Sequence, residues 1–193
     1  MRKNNWVKYC FGFIIGLTLF TKFVTAQQDT VLAKSDSLKS LIKLTVGWRN
    51  GFEWEKKISK LSVLDFFGGI NIGLATDDFK DLKAPLIISP SAFIEYRNYY
   101  NLFRRIDKRK KTRNNSANFF YGTVEVLFPV RNQNFVNLLL IQGWGAQRSF
   151  GKRMGTSCHV GVIEHFFYDR PPNGGFNYMR MEPDIMLSFF YVF

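Results

Sequence analysis

From Leu41 to the end of the chain the apolar residues recur at every second position, the period of β-strands, and not at the three-to-four spacing of helices. The final stretch shows it most plainly. Ile185, Leu187, Phe189, Tyr191 and Phe193 fall on one face, with Asp184, Met186, Ser188, Phe190 and Val192 on the other. Between 62 and 75, Leu64, Phe66, Ile70, Ile72 and Leu74 share a face opposite Asp65, Gly69, Asn71 and Gly73. Phe120, Val124, Val126 and Phe128 oppose Tyr121, Thr123 and Glu125; Ile42, Leu44, Val46 and Trp48 oppose Lys43, Thr45 and Gly47; Ala92, Ile94 and Tyr96 oppose Ser91, Glu95 and Arg97. The pattern predicts strands over about 41–48, 52–58, 62–75, 86–100, 116–129, 135–149, 155–168 and 177–193. One face is repeatedly apolar, while the other carries charge and glycine.

A soluble sandwich also alternates, so two further features decide the architecture. The longer stretches exceed the roughly 5–6 residues of strands in globular sheets and suit a tilted membrane crossing of about 9–11 residues plus rims. Glycines and charges also share the face that would line a narrow interior, and eight strands enclose just enough room for side chains. The prediction is an all-β, eight-stranded antiparallel up-and-down transmembrane barrel over 41–193, with its greasy face turned outward. Two places leave the pattern open. Arg49-Asn50-Gly51 reads as a hairpin turn, giving eight strands, whereas an unbroken strand there gives seven; the even number is chosen. In 155–168, Glu164 shares a parity with Val160, Val162, Phe166 and Tyr168, so either a bulge near Val162 flips the register or Glu164 sits near a rim.

The first 26 residues read differently. Arg2, Lys3 and Lys8 precede an apolar run from about Tyr9 to Phe20, and Val24-Thr25-Ala26 supplies a short-residue cleavage site, the three-part form of a secretory signal peptide. The apolar run is too short to anchor as a helix, and Lys22 interrupts it. Residues 27–40 are polar and read as a periplasmic lead-in. Cys10 falls in the leader, so Cys158 is left without an intrachain partner. No later segment has the roughly 18 uninterrupted apolar residues of a transmembrane helix.

Aromatics make up 17% of the 193 residues, against a mean hydropathy of −0.12. The net charge is +12; the leader removes four of the 27 basic residues and no acid, leaving 23 against 15. Such a balance favours anionic neighbours.

The leader, the alternation and the terminal Ser188-Phe189-Phe190-Tyr191-Val192-Phe193 together resemble small outer-membrane β-barrels of the OmpA/OmpX type. Glu95-Tyr96-Arg97-Asn98-Tyr99-Tyr100-Asn101-Leu102, the basic stretch after it, Asn114-Asn115-Ser116-Ala117-Asn118-Phe119, and Phe52-Glu53-Trp54-Glu55-Lys56-Lys57 resemble an uncharacterised "outer membrane protein beta-barrel" family. The resemblance implies residence in the cell outer membrane, contact with its lipid, and recognition of the C-terminal strand ending at Phe193 by barrel-assembly machinery. It transfers no catalytic motif. It also implies that both termini lie in the periplasm. Counting strands then puts 76–85, 131–134 and 169–175 outside, and 101–115 and 150–154 with the termini. A long periplasmic turn runs against the usual shortness of such turns.

That long turn is the most charged segment: Arg104, Arg105, Lys108, Arg109, Lys110, Lys111 and Arg113 stand against Asp107 alone. It reads as a solvated loop or as a site for an anionic envelope component; nucleic acid is not expected, since no stacking motif accompanies the run. The interior face carries Lys43, Glu53, Glu55, Asp65, Glu95, Arg97, Glu125, His159, Asp184 and, depending on register, Glu164. Buried charges must pair, so a neutralising network filling the barrel is expected ahead of a proton path or hydrolytic site. Ser157, His159 or His165, and Glu164 would sketch a lipid-acting hydrolase, but neighbours on one strand rarely converge. Two histidines alone do not make a zinc site, and no phosphate-cradling glycine loop occurs. No catalytic residue, metal or cofactor is assigned. The expected role is structural or surface-interacting and non-enzymatic. The alternatives are a membrane-embedded lipid hydrolase and a secreted soluble barrel holding a small apolar ligand, the latter requiring the Ile185–Phe193 face to point inward.

Overall fold

The computed structural model describes residues 38–74, 86–128, 135–169 and 176–193. The leader, most of the lead-in, and the connections 75–85, 129–134 and 170–175 lie outside them. The strands are β1 (Leu41–Gly47), β2 (Arg49–Lys57), β3 (Ser62–Leu74), β4 (Leu86–Asn98), β5 (Asn118–Leu127), β6 (Phe135–Phe150), β7 (Met154–Asp169) and β8 (Phe176–Val192). Each pairs antiparallel with the next, and β1 closes on β8 from Lys43↔Val192 to Gly47↔Ser188. The result is a closed eight-stranded meander, as the alternation predicts.

The side chains have the polarity opposite to that of a water-soluble barrel. Ile185, Leu187 and Phe189 are 70%, 53% and 53% exposed, whereas Asp65 and Glu125 are wholly buried. The same holds around the wall: Ile42, Phe52, Trp54, Ile94, Val124 and Val160 point out, and Lys43, Glu53, Glu55, Glu95 and Arg97 point in. Because side chains alternate across a strand, one choice of facing for each strand determines all of this.

The hairpin between β1 and β2 turns earlier than expected. Arg49, Asn50 and Gly51 already belong to β2, paired with Asn71, Ile70 and Gly69, and the reversal lies at Gly47-Trp48. The Asn50 amide spans the turn: its Nδ2 donates to the Gly47 carbonyl at 2.8 Å, and its Oδ1 accepts from the Gly47 N–H at 3.1 Å. Gly47 has φ +146°, a conformation that L side chains rarely adopt.

The wall is uneven. β1 has 7 residues and β2 has 9, while β6, β7 and β8 have 16, 16 and 17. At roughly 3.3 Å per residue the long strands run about 20–30 Å further than β1 and β2. Among the described residues, the stretch of β8 from Phe176 to Leu187 has no strand on the side where β1 lies further down. The Phe193 N–H donates to the Ile42 carbonyl, whereas that of Val192 turns to Arg153. From Met181 to Phe193 the odd-numbered backbone positions therefore face the open side, and Pro183 stands there with no N–H to leave unsatisfied.

The pairing of β7 with β6 runs unbroken from Phe135↔Asp169 to Phe150↔Met154, so β7 keeps one parity throughout. The irregularity lies instead in β8, which places two residues, Met179 and Arg180, opposite His165. Glu164 consequently shares the outward face of Val160, in the upper part of the tall wall; no bulge near Val162 turns it inward.

The long connection between β4 and β5 is no loose loop. It forms a short helix, α1 (Leu102–Asp107), and a 3₁₀ turn (Arg113–Asn115). Leu102, with Phe103 and Ile106 beside it, packs on Leu38, Leu61, Val63, Tyr99, Ala117 and Phe119 to stopper the terminal end of the barrel, where β1 begins and β8 finishes. Leu38–Ser40, the described part of the lead-in, is tied into it: the Lys39 N–H donates to Asn115 Oδ1 at 3.0 Å, and Asn115 Nδ2 returns a bond to the Lys39 carbonyl at 2.9 Å.

Two facing glycine pairs let neighbouring strands approach inside the narrow barrel, Gly51↔Gly69 and Gly143↔Gly161. A Cβ on Gly143 would lie 2.2 Å from the Val160 carbonyl oxygen and 2.6 Å from the Gly161 Cα, both backbone atoms that cannot swing away. Gly143→Val is expected to cost about 2 kcal/mol or more, read as a lowered urea midpoint by tryptophan fluorescence. Gly122→Ala, where an added Cβ meets nothing within 4 Å, should leave the midpoint unchanged within about 0.5 kcal/mol.

Candidate functional site

The densest chemistry lies in the lower interior. Lys43 and Thr45 of β1, Glu53 and Glu55 of β2, Asp65 of β3, and Glu95 and Arg97 of β4 all take inward parity and converge there. Arg97 is the hub. Its Nη1 lies 2.7 Å from Glu55 Oε1, its Nη2 lies 3.0 Å from Glu53 Oε1 and 2.7 Å from Asp65 Oδ2, and its Nε bonds Glu95. Lys43 Nζ bridges Glu53 and Glu55 from the other side, at 2.6 and 2.7 Å. The planar fork of arginine, with five donors, suits a post shared by several carboxylates better than an ammonium would.

Neutral donors complete the hydrogen bonding of Glu53, Glu55 and Glu95, whereas Asp65 Oδ1 is left without a partner. Thr45 Oγ1 donates to Glu53 at 2.7 Å, Asn115 Nδ2 and Tyr99 Oη to Glu55 at 2.7 and 3.3 Å, and Thr123 Oγ1 to Glu95 at 2.6 Å. Higher up, Arg49 pairs with Glu125, which also accepts from Asn71 Nδ2 at 3.3 Å. Aromatic faces cover each cation: Phe190 under Lys43 at 5.0 Å, Phe93 under Arg49 at 4.5 Å and Phe119 under Arg97 at 5.1 Å. Such contacts strengthen when water is excluded.

Of the ten residues assigned to the interior from the sequence, Lys43, Glu53, Glu55, Asp65, Glu95, Arg97, Glu125 and His159 are buried there, and Asp184 is half-buried with the parity of Met186. Glu164 is the exception, on the outer face. That breaks the sketched Ser157–His159–Glu164 constellation. The acid beside His159 is Glu95, 3.3 Å from Nε2 and far away in sequence, and His165 lies 3.8 Å from Glu182. Ser157 and His159 border an interior void of about 10 Å³, space for roughly one water. Tyr121 is buried on the face it was expected to share with Glu125, while Arg49, Tyr99, Phe119 and Gln147 also fill the interior and were not anticipated. Counting back from Glu53 and Glu55 in steps of two reaches Arg49 and would have found it.

Glu53, Glu55 and Asp65 bring carboxylate oxygens within 4.8 Å of one another, a spacing that could hold a metal ion. Lys43 and Arg97 already supply the cationic charge at hydrogen-bonding distance, so the group reads as an internal ion cluster.

The seven basic residues between Arg104 and Arg113 lie at the terminal end of the barrel, where β1 begins and β8 finishes. Arg104, Lys108, Arg109, Lys110, Lys111 and Arg113 are exposed, and Arg105 is partly covered, with its Nη2 on the Lys111 carbonyl at 2.9 Å. Partial burial lowers the affinity of the Arg105 guanidinium for its proton.

Compared with family models, with curated proteins and with solved structures, the chain matches none.

Removing one partner from a buried ion cluster strands the others, at about 3–5 kcal/mol. Arg97→Met should lower stability by that order in urea titrations. Adding Glu53→Gln and Asp65→Asn to Arg97→Met should recover part of the loss. A loss under about 1 kcal/mol, the scale of exposed pairs, would show that the cluster does not hold the barrel together.

Proposed function

We propose that the chain is an integral barrel of the bacterial outer membrane with a structural or surface-interaction role and no catalytic one. The observation that carries this reading is the inverted polarity: an apolar outer wall around an interior of paired charge. In water such a wall would expose far more contiguous apolar surface than the few hundred Å² usual for soluble proteins. In a bilayer it is the lipid face, and closure leaves no backbone edge in hydrocarbon at the level where β1 meets β8.

The filled interior argues against a conducting pore, since eight strands leave room for little besides side chains. It also argues against a soluble barrel storing an apolar ligand, because Leu187 and Phe189 face outward. The hydrolase alternative draws no support from the placement of Glu164. In the proposed orientation the end with the termini and α1 faces the periplasm, and the tall β6–β8 wall reaches beyond the cell surface, where it would meet partners.

One substitution separates membrane from solvent. Val124 lies mid-strand on the outer face, 50% exposed, between Ile94 and Leu140. Val124→Arg should cost about 2–4 kcal/mol in lipid vesicles; an exposed site of a soluble protein would absorb it within about 0.5 kcal/mol. The unaltered chain should fractionate with the outer membrane and resist alkali extraction. Release by alkali, together with a neutral Val124→Arg, would overturn the proposal.

A further inference from the structure

We propose that the terminal end of the barrel is a docking ring for the phosphate headgroups of anionic phospholipids; this rests on the outer-membrane reading above and names the lipid class at that end. The basic residues there are not confined to the long connection. The β2–β3 turn and its approach bring Lys56, Lys57 and Lys60, the β6–β7 turn brings Lys152 and Arg153, and the lead-in brings Lys39. These join the seven between Arg104 and Arg113, so every described connection at this end contributes positive charge. Asp107 is the one acid among the described residues of those connections. By sequence, the segments that join β3 to β4, β5 to β6 and β7 to β8, which lie outside the described residues, carry Lys80, Lys83, Arg131 and Arg170 against Asp77, Asp78 and Asp81, nearly balanced. Among the described connections the excess positive charge is thus concentrated at this end.

Its placement favours a lipid headgroup over a soluble polymer. The charge encircles the rim, at the foot of an apolar wall, where phosphates of a surrounding leaflet would lie. Aromatic side chains mark the same level on the outer surface. Tyr100 stacks on Phe120 with centroids 4.9 Å apart and accepts from Trp144 Nε1 at 2.9 Å, and Tyr191 lies edge-on to Phe193 at 5.4 Å. Such amphipathic rings settle at membrane–water interfaces. Basic groups touch this belt directly: Lys56 Nζ lies 5.8 Å from the Trp54 ring centre, and Arg153 Nη1 donates to Tyr191 Oη at 3.0 Å.

The ring is also held in place before any lipid arrives. Leu102 is buried, and Phe103 and Ile106 are packed beneath α1, which leaves Arg104 and Lys108 facing away from the barrel. Asn114 Nδ2 donates to the Lys152 carbonyl at 3.2 Å, joining the long connection to the β6–β7 turn, and Asn115 joins it to the lead-in. Like charges crowded on a fixed platform repel one another, and bound phosphates relieve that repulsion.

The test reconstitutes the full chain in phosphatidylcholine vesicles containing about one-third phosphatidylglycerol. Spin-labelled lipids report which headgroup is enriched beside the protein. Phosphatidylglycerol should be favoured about fivefold, in line with the attraction of basic residues to anionic leaflets, and the preference should fade at about 1 M salt. Replacing Lys108, Arg109, Lys110 and Lys111 with Gln should lower the preference, and so should a separate set at Lys56, Lys60, Lys152 and Arg153. All eight are surface positions, so an unchanged urea midpoint identifies a headgroup effect. No enrichment in an inserted barrel, or enrichment indifferent to both sets, overturns the inference while leaving the outer-membrane reading intact. Failure of the unaltered chain to insert overturns both. Binding to isolated peptidoglycan sacculi that is lost in these variants, with lipid enrichment unmoved, would assign the ring to glycan and overturn the lipid proposal.

Discussion

A guanidinium and an ammonium surrounded by carboxylates, all out of reach of water, are tolerable only as a complete set. Moving any one of these ions from water into a low-dielectric interior costs several kcal/mol, and the barrel meets that cost by bringing Lys43, Glu53, Glu55, Asp65, Glu95 and Arg97 from four successive strands to one place. The register of β1 through β4 is therefore tied to chemistry as well as to the alternation of greasy residues. A slip of one residue would send every charge to the outer face and every apolar side chain inward. The opposite wall is filled differently. Tyr121, Phe119, Leu139 and Ile141 supply apolar bulk on β5 and β6, and Arg97 lies against the Phe119 ring at the seam between the two halves.

Much of this was legible in the sequence because a period of two is robust: once one residue of a strand is assigned a face, its neighbours follow. The strands and the charged interior came from that rule, and the count of eight from the turn signal at Arg49-Asn50-Gly51 together with the preference for an even number. What stayed hidden depended on local geometry. Asn50-Gly51 has the composition of a hairpin turn, but Gly51 is needed for a different reason. A Cβ there would sit 2.4 Å from the Gly68 carbonyl oxygen across the strand pair, and Asn50 works as a side-chain clamp on the turn before it. In the β4–β5 connection the run of charge masked Leu102, Phe103 and Ile106, whose spacing marks one face of a helical turn. Glu164 could not be placed because the irregularity beside it belongs to β8, and nothing in the sequence of β7 reports on a neighbour's register.

The two ends of the molecule follow from the same division of labour. At the terminal end the connections are drawn together by Leu38, Leu102 and Ala117 into a stopper, and its outer surface is left to cations. At the other end β6, β7 and β8 rise well above β1 and β2. Side chains bonded across the wall thus hold a charged base, a greasy waist and a one-sided crest in fixed relation to one another.

The crest carries one more consequence. A ribbon whose flank is open invites a stranger's chain to zip alongside it and then another, the route by which ordered sheets grow into fibres. Pro183 interrupts that flank: with a ring nitrogen where a donor would be, it leaves a gap in the row that an incoming chain would need to read. The flank that stands open among the described residues can therefore still resist becoming a template.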